Sequence, residues 1–165
     1  MKTLIVYSSR TGNTKKVAEA ILSVLPAGTE IAPVESAPAP DAYDCVIVGF
    51  WVDRGTANEE MRDYLPKISG KKVGIFFTLG ANPASPHAAK SCENAIALLG
   101  ANCEVVAKFW CQGAIDPHVI EWMSHLGANH THAPNPERIA RWKESAKHPD
   151  DSDIEAAKAA FANIR

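Results

Sequence analysis

The stretch TLIVYSSRTGNT, residues 3–14, changes character part-way along its length. Residues Thr3–Ser8 form a largely apolar run without polar alternation, which predicts a strand covered on both faces of a parallel sheet. A short turn of hydroxyl, amide and glycine residues follows, and apolar residues at helical spacing then predict a helix over Asn13–Leu25. Because a buried strand leads through a polar turn into a helix, the stretch predicts the first unit of an α/β protein.

The same alternation of strand and helix continues along the chain. The further predicted strands are Thr29–Val34, Cys45–Phe50, Lys72–Leu79 and Glu104–Cys111. The further predicted helices start at Thr56 (with Glu59 at capping-box spacing), Ser85-Pro86, Asp116-Pro117, Asn135-Pro136 and Ser152 (with Glu155), the second of them ending at Gly100. Repeated alternation requires right-handed crossovers, so we expect a three-layer α/β/α sandwich with a five-stranded parallel sheet.

The tail differs in composition from the rest of a predicted single domain over residues 1–165. Residues 118–150 contain five of the six histidines, and from about residue 117 we expect a His/Pro-rich helical extension. None of the four cysteines falls in this segment, so a solvated loop is favoured over a zinc site. Two sets of packing residues are expected: the apolar face of the last helix, Ile154, Ala157, Phe161 and Ile164, and the indoles of Trp110, Trp122 and Trp142.

Composition and charge exclude several classes of protein. Seventeen basic and nineteen acidic residues give a formal net charge of −2, so nothing global points to nucleic acid or to a membrane surface. No apolar stretch has the length of a membrane span or of a signal peptide's apolar region. The cysteines form no C-x-x-C pair, and Cys45 and Cys111 lie inside apolar runs, which favours buried, reduced thiols and a cytoplasmic protein.

The turn Ser9–Thr14 has the composition of a phosphate site. Ligands of open parallel sheets bind beyond the carboxyl ends of the strands, where this turn is expected. Gly12 permits close approach of the backbone, and successive N–H groups at a helix start attract an anion. The side-chain donors are Ser9, Thr11, Asn13 and Thr14. The spacings typical of triphosphate and dinucleotide loops are missing, so a small phosphomonoester is favoured, with an ordinary polar turn as the alternative.

Residues Ile5–Thr14, continuing through Ala18 to Ile21, resemble the signature of the flavodoxin family. The resemblance covers about residues 1–115 and the terminal helix. It implies an FMN-binding domain with sheet order 2-1-3-4-5, in which Ser9, Arg10, Thr11, Gly12, Asn13 and Thr14 hold the 5′-phosphate. For Arg10 two interpretations stay open, because its guanidinium could contact the phosphate or point into solvent.

The resemblance also implies that the loop after the third strand contacts the flavin ring. This loop contains Phe50, Trp51, Val52, Asp53 and Gly55. We expect Trp51 to stack on the ring, since an exposed aromatic excludes water from a flat apolar surface; packing of Trp51 as a lid on the second helix is the alternative. Many flavodoxins place a glycine beside the stacking aromatic, and Val52 stands here instead, which disfavours a peptide flip at this position.

The loop after the fourth strand is expected at the pyrimidine edge of the flavin. Its residues are Thr78, Leu79, Gly80, Ala81 and Asn82. Gly80 permits close backbone approach, and neighbouring N–H and C=O groups could read the ring edge, as the family implies. No tyrosine is present to stack on the outer face, so His87 or Asn82 is expected near it, and a plain β-to-α loop is the alternative.

Acidic residues outnumber basic ones near these predicted loops. They are Asp41, Asp44, Asp53, Glu59, Glu60 and Asp63, against Arg54 and Arg62. They could lower the reduction potential of a flavin, form a docking face for a basic redox partner, or form the solvated face of a helix.

The resemblance implies an electron carrier that moves electrons between a reductase and an acceptor enzyme. No catalytic side chain is needed, because the chemistry belongs to the flavin. We expect a monomer with protein redox partners. The alternatives are an FMN-dependent quinone or small-molecule reductase and a binding module that has lost its flavin. More loosely, Gly49-Phe50-Trp51 and Asp116-Pro117 with the helical tail resemble the flavodoxin-like proteins that accompany bacterial bilirubin reductases.

Overall fold

The computed structural model describes all 165 residues as a parallel sheet between two layers of helices. The strands are β1 (Thr3–Tyr7), β2 (Glu30–Pro33), β3 (Cys45–Asp53), β4 (Thr56–Ala57), β5 (Lys72–Leu79) and β6 (Glu104–Gln112). The helices are α1 (Asn13–Leu22), α2 (Glu59–Tyr64), α3 (Pro86–Ile96), α4 (Pro117–Ser124), α5 (Pro136–Ser145) and α6 (Asp151–Phe161). None of these helices combines the length and the apolar character needed to cross a lipid bilayer.

The five long strands lie in the order β2-β1-β3-β5-β6 and are all parallel. Counted without the two-residue β4, this is the predicted order 2-1-3-4-5, and the three-layer sandwich is confirmed. Register is set along the central pair, where Thr3 lies opposite Cys45 and Tyr7 opposite Gly49. The carboxyl ends of β1, β3, β5 and β6 therefore meet at one edge of the sheet.

Alternate side chains of each central strand enter opposite layers of the core. Leu4 and Val6 of β1 belong to the layer that also holds α2 and α3, whereas Ile5 between them belongs to the layer of α1 and α6. All three are fully buried. Because neither face of β1 is exposed, its sequence shows no polar alternation, as the prediction assumed.

The terminal helix α6 closes the second layer, as predicted. Ala157, Phe161 and Ile164 are buried, and the Phe161 ring meets the Phe76 ring edge-on with centroids 6.2 Å apart. A Cβ placed on Gly74 would lie 2.7 Å from the Phe161 ring, so the absence of a side chain at Gly74 admits the ring. Helix α6 is thereby fixed against the sheet and against α1.

The structure corrects two predicted helix starts. Thr56 does not cap a helix: Arg54 and Gly55 adopt positive φ of 50° and 78°, and this turn places Thr56 in β4, opposite Asp53 of β3. Helix α2 begins after Asn58 instead. At the last helix the capping box is formed by Asp150 and Asp153, whereas Ser152 and Glu155 were predicted. Aspartate and serine are equally good N-caps, and the helix begins two residues earlier than predicted.

Two further sets of predictions have mixed outcomes. Trp142 is buried and Trp110 is partly buried, but Trp122 on α4 is 55% exposed and is not a packing residue. All four cysteines are free thiols, and burial raises the pKa of Cys45 to about 11 and that of Cys111 to about 12, which confirms both as buried, unreactive side chains.

Candidate functional site

The turn between β1 and α1 forms a ring of backbone donors. Gly12 precedes the helix with φ of 97°, a left-handed conformation that favours glycine. The Ser9 hydroxyl oxygen accepts hydrogen bonds from the N–H groups of Gly12 and Lys15, each at 3.2 Å. The N–H groups of five residues in the same turn donate to no other group of the protein: Ser9, Arg10, Thr11, Asn13 and Thr14. This arrangement suits an anion held at the start of α1.

Side chains of the same turn connect it to the neighbouring strands. The hydroxyls of Thr14 and Thr78 are 2.9 Å apart and both residues are buried, so the turn is tied to the end of β5. The Asn13 amide donates to the carbonyl of Ala114 at 3.1 Å and to the Thr11 hydroxyl at 3.3 Å. The side-chain amide of Asn13 therefore donates to groups of the protein, whereas the sequence analysis predicted that it donates to the phosphate.

The segment after the parallel part of β3 is a β-hairpin with a two-residue turn, Arg54-Gly55. Val52 and Asp53 pair with Ala57 and Thr56, and the Trp51 carbonyl accepts from the N–H of Asn58 at 3.1 Å. The Asn94 amide on α3 donates to the Gly55 carbonyl at 2.8 Å and holds the tip of the hairpin. The sequence did not reveal the hairpin, although Gly55 was a visible turn signal. Trp51 is left half-buried at the base of the hairpin, with its main chain fixed.

A fourth loop, Gly113–Asp116, also lines the site, and the sequence analysis did not predict it. The Gly113 N–H donates to the Leu79 carbonyl at 2.9 Å, and the Ala114 N–H donates to the His148 carbonyl at 3.1 Å. Asp116 caps α4 by accepting from the His118 N–H at 2.9 Å. Asp116-Pro117 was interpreted only as a helix start. Since the fifth long strand ends at the same edge of the sheet as the others, its exit loop could have been placed at the site by the same rule.

These elements enclose a cavity of about 410 Å³, which lies in the usual range for small-molecule sites of roughly 300–1,000 Å³. Of the predicted residues, the cavity is lined by Ser9, Arg10, Thr11, Asn13, Thr14, Trp51, Val52, Asp53, Thr78, Leu79 and Gly80. The residues that sequence reasoning missed are Gly113, Ala114, Ile115, Asp116 and Val119. The structure thus brings the three predicted loops together and adds a fourth segment.

Five predicted residues do not line this cavity. The Phe50 side chain is fully buried and stacks on Phe77 with centroids 5.1 Å apart, because its position on β3 points it into the core. Gly12 shapes the turn through its backbone, and Gly55 lies at the hairpin tip. Ala81 and Asn82, together with His87, line an adjacent groove instead.

Charged groups near the cavity fall into two sets. Four acidic residues line a depression beside Trp51: Glu35, Asp53, Glu59 and Glu60. Asp41 and Asp44 precede β3 and lie at the opposite edge of the sheet. The backbone N–H of Glu60 lowers the pKa of its own carboxyl, and so does the Asn58 amide, which donates to that carboxylate at 2.6 Å. The acidic group at the site is therefore smaller than the sequence suggested.

Comparison with known proteins decides the family. A flavodoxin-domain family model matches residues 4–162. The chain belongs to the flavodoxin family. It is 30% identical over 171 residues to the flavodoxin-like domain-containing protein BilS of Clostridioides difficile (strain CD3), with 99% of this chain and 96% of that protein covered. Its identity to BilS of Clostridium symbiosum (strain WAL-14163) is also 30%, over 179 residues, covering 94% and 92%.

Solved structures agree with this flavodoxin fold. Oxidised flavodoxin 2 from Bacillus cereus superposes with a TM-score of 0.57 at 23% identity and 98% coverage of both chains. An azoreductase from Bacillus anthracis strain Sterne gives a TM-score of 0.56 at 14% identity, covering 99% of this chain and all of that one. A flavodoxin and an azoreductase thus share the fold with this chain, so the fold alone does not decide the function.

FMN is the cofactor of this flavodoxin, and the cavity fits it. The unshared N–H groups at the start of α1 match a phosphate in charge and hydrogen-bonding character. At the other end, a Cβ on Gly80 would lie 2.6 Å from the Cγ1 atom of Ile115, so only glycine lets the backbone form this wall of the cavity. The cavity has N–H donors at the start of α1, which suit a phosphate. At its other end it has the Trp51 indole and the backbone of Gly80, which suit a flat aromatic ring.

Proposed function

We propose that this flavodoxin is an electron carrier that passes electrons between a reductase and an acceptor enzyme. The observation that carries the proposal is the cavity itself, which joins a ring of unshared N–H donors to the half-buried Trp51. Bound FMN supplies the electron-accepting chemistry. The protein binds and orients the cofactor and sets the charge around it.

In this proposal each loop has one task. The backbone of Arg10–Thr14 and the hydroxyls of Ser9, Thr11 and Thr14 hold the phosphate. Trp51, with Val52 and Asp53 beside it, covers one face of the ring and excludes water. The backbone of Thr78–Gly80 faces the pyrimidine edge, with Ala81 and Asn82 at the outer margin. No side chain acts as nucleophile, acid or base.

The surroundings of Trp51 suit a redox protein partner. Glu35, Asp53, Glu59 and Glu60 lie together beside the indole, and this acidic group would steer a basic partner to the exposed edge of the site. The same negative charge disfavours further reduction and so lowers the potential of the cofactor. We further propose a cytoplasmic monomer, and the four free thiols suit a reducing compartment.

Two measurements test this function. Titration of the flavin-free protein with FMN, followed by quenching of flavin fluorescence, should show one site per chain. Stepwise reduction with dithionite should then produce long-wavelength absorbance at half reduction, as expected for transfer in one-electron steps. Protein that is colourless after incubation with FMN and removal of the unbound flavin would favour the flavin-free binding module. Direct passage to the fully reduced spectrum would argue against a one-electron carrier.

A second candidate, a small-molecule reductase, is favoured by a groove beside the cavity. The groove has a volume of about 990 Å³, and Gly80 and Ile115 line both it and the cofactor cavity. Its far wall belongs to α5, with Arg141 and the buried Trp142. Oxidation of NADPH with a quinone in the absence of any protein partner, reduced several-fold in Arg141→Ala, would support this candidate over the carrier.

A further inference from the structure

Arg10 of the phosphate loop reaches across the cavity to the start of α4. Its Nε atom lies 3.0 Å from Oδ2 of Asp116, and its guanidinium carbon lies 5.8 Å from the centre of the Trp51 ring. Arg10, Trp51 and Asp116 all line the cofactor cavity. The Arg10 side chain is 56% exposed, and it joins three of the four segments that line the cavity.

Asp116 is fixed in place and ionised. Its side chain is 13% exposed, and its Oδ1 atom accepts from the N–H of His118 at 2.9 Å, so the carboxylate cannot turn away without uncapping α4. That hydrogen bond and the Arg10 charge hold the pKa of Asp116 below its usual range. A carboxylate thus faces a cavity that also has to accept the phosphate of FMN.

Like charges in a partly dehydrated cavity repel strongly unless one of them is neutralised. Arg10 makes the only ion pair to Asp116 apart from the exposed ring of His118, which carries charge only when it is protonated. We propose that Arg10 acts in cofactor binding through Asp116: it cancels the carboxylate so that the cavity admits a dianion. Arg10 is then a positioning residue. The proposal rests on the proposed placement of the FMN phosphate at Ser9–Thr14.

The test is FMN titration of four proteins: wild type, Arg10→Ala, Asp116→Asn and the double variant. We expect Arg10→Ala to weaken FMN binding by about tenfold or more. Asp116→Asn keeps the cap, because the amide oxygen still accepts from the His118 N–H, and should bind FMN at least as well as wild type. The double variant should return to within about threefold of wild type, since the repulsive charge is gone.

The alternatives for Arg10 give different patterns. A direct bond from Arg10 to the phosphate would leave the double variant as weak as Arg10→Ala, and an arginine in solvent would leave Arg10→Ala unchanged. Either result overturns the proposal. Lys15→Ala is the matched control, because it removes a cation of the same segment whose partner, Glu19, lies outside the cavity, and it should bind FMN normally.

Two further readouts separate charge from structure. The defect of Arg10→Ala should shrink as ionic strength rises, because salt screens repulsion between Asp116 and the phosphate. Riboflavin, which lacks the phosphate, should be much less sensitive than FMN to Arg10→Ala. Equal losses for the two flavins, or a defect independent of salt, would show that Arg10 acts by holding the fold. Failure of wild type to bind FMN would instead refute the placement on which the inference rests.

Discussion

Replacement of Thr14 by valine tests the link between the phosphate loop and the sheet. The Thr14 hydroxyl lies 2.9 Å from that of Thr78, and the two residues are 1% and 3% exposed. If Thr78 donates to Thr14, the Thr14 hydrogen is free to point into the cavity. Valine has nearly the same shape as threonine, so Thr14→Val removes the hydroxyl and leaves the packing in place.

The two possible losses have different sizes and different assays. A hydrogen bond to a charged phosphate contributes about 1.5–3 kcal/mol, so Thr14→Val should weaken FMN binding by about 10- to 150-fold. Each single variant should also destabilise the FMN-free protein by about 1–3 kcal/mol, because one buried hydroxyl is left without a partner. Fluorescence titration measures the first effect, and urea unfolding without FMN measures the second.

Thr78→Val and the double variant provide the controls. Thr78→Val should cost stability but leave FMN affinity within about threefold of wild type, since the Thr14 hydroxyl is then satisfied by the phosphate. The double variant should be more stable than the sum of the single losses implies, because no hydroxyl is left unpaired. Folded Thr14→Val protein with wild-type FMN affinity would refute a phosphate contact, and strictly additive stability losses would refute the buried pair.

Three further perturbations test other parts of the structure. Trp51→Ala should weaken FMN binding by about tenfold or more in a fluorescence titration, whereas Trp122→Ala, at an exposed indole, should not. Phe161→Ala should cost about 3–5 kcal/mol and lower the melting temperature by about 6–20 °C in calorimetry, and an unchanged transition would contradict the docking of α6. The hydrogen bond to Asp153 raises the pKa of His148, so its stabilisation is complete below the ordinary histidine value of 6.5 and is lost as pH rises through the higher folded-state value. His148→Gln should therefore flatten the dependence of the urea midpoint on pH, and a curve that keeps its slope would assign that slope to other groups.

The sheet and its order were predictable because the pattern is local and redundant. β1 and β3 are buried on both faces, so each shows as an unbroken apolar run, and Gly12 with its flanking hydroxyls marks the first turn. The resemblance to flavodoxins then supplied the strand order, which periodicity alone does not give. Most residues of the turn Ser9–Thr14 that line the cavity were predictable from the same stretch of sequence.

The rest of the site depends on contacts that periodicity does not encode. The hairpin after Trp51 requires a positive φ at Arg54, and arginine is not a residue type that predicts this conformation. The sequence predicted Asp116 as a helix cap, and it caps α4. Its second contact is with Arg10, which is more than one hundred residues away in the sequence, and local patterns do not encode such a contact. Phe50 and Trp51 are adjacent aromatics on β3 that face opposite sides of the sheet, and the composition of the loop did not show that the Phe50 side chain is the one in the core.

The hairpin at Val52–Ala57 has a consequence for the speed of electron exchange. The Trp51 carbonyl accepts from the N–H of Asn58 and the Gly55 carbonyl accepts from the Asn94 amide, so the main chain of the hairpin is held at its base and at its tip. If FMN binds beside Trp51, a rigid hairpin need not rearrange when the cofactor changes its charge on reduction. The reorganisation energy of electron transfer is then small. We therefore expect the rate of electron transfer to depend on the distance between donor and acceptor and on the driving force, and not on the rotation of a peptide group in the hairpin.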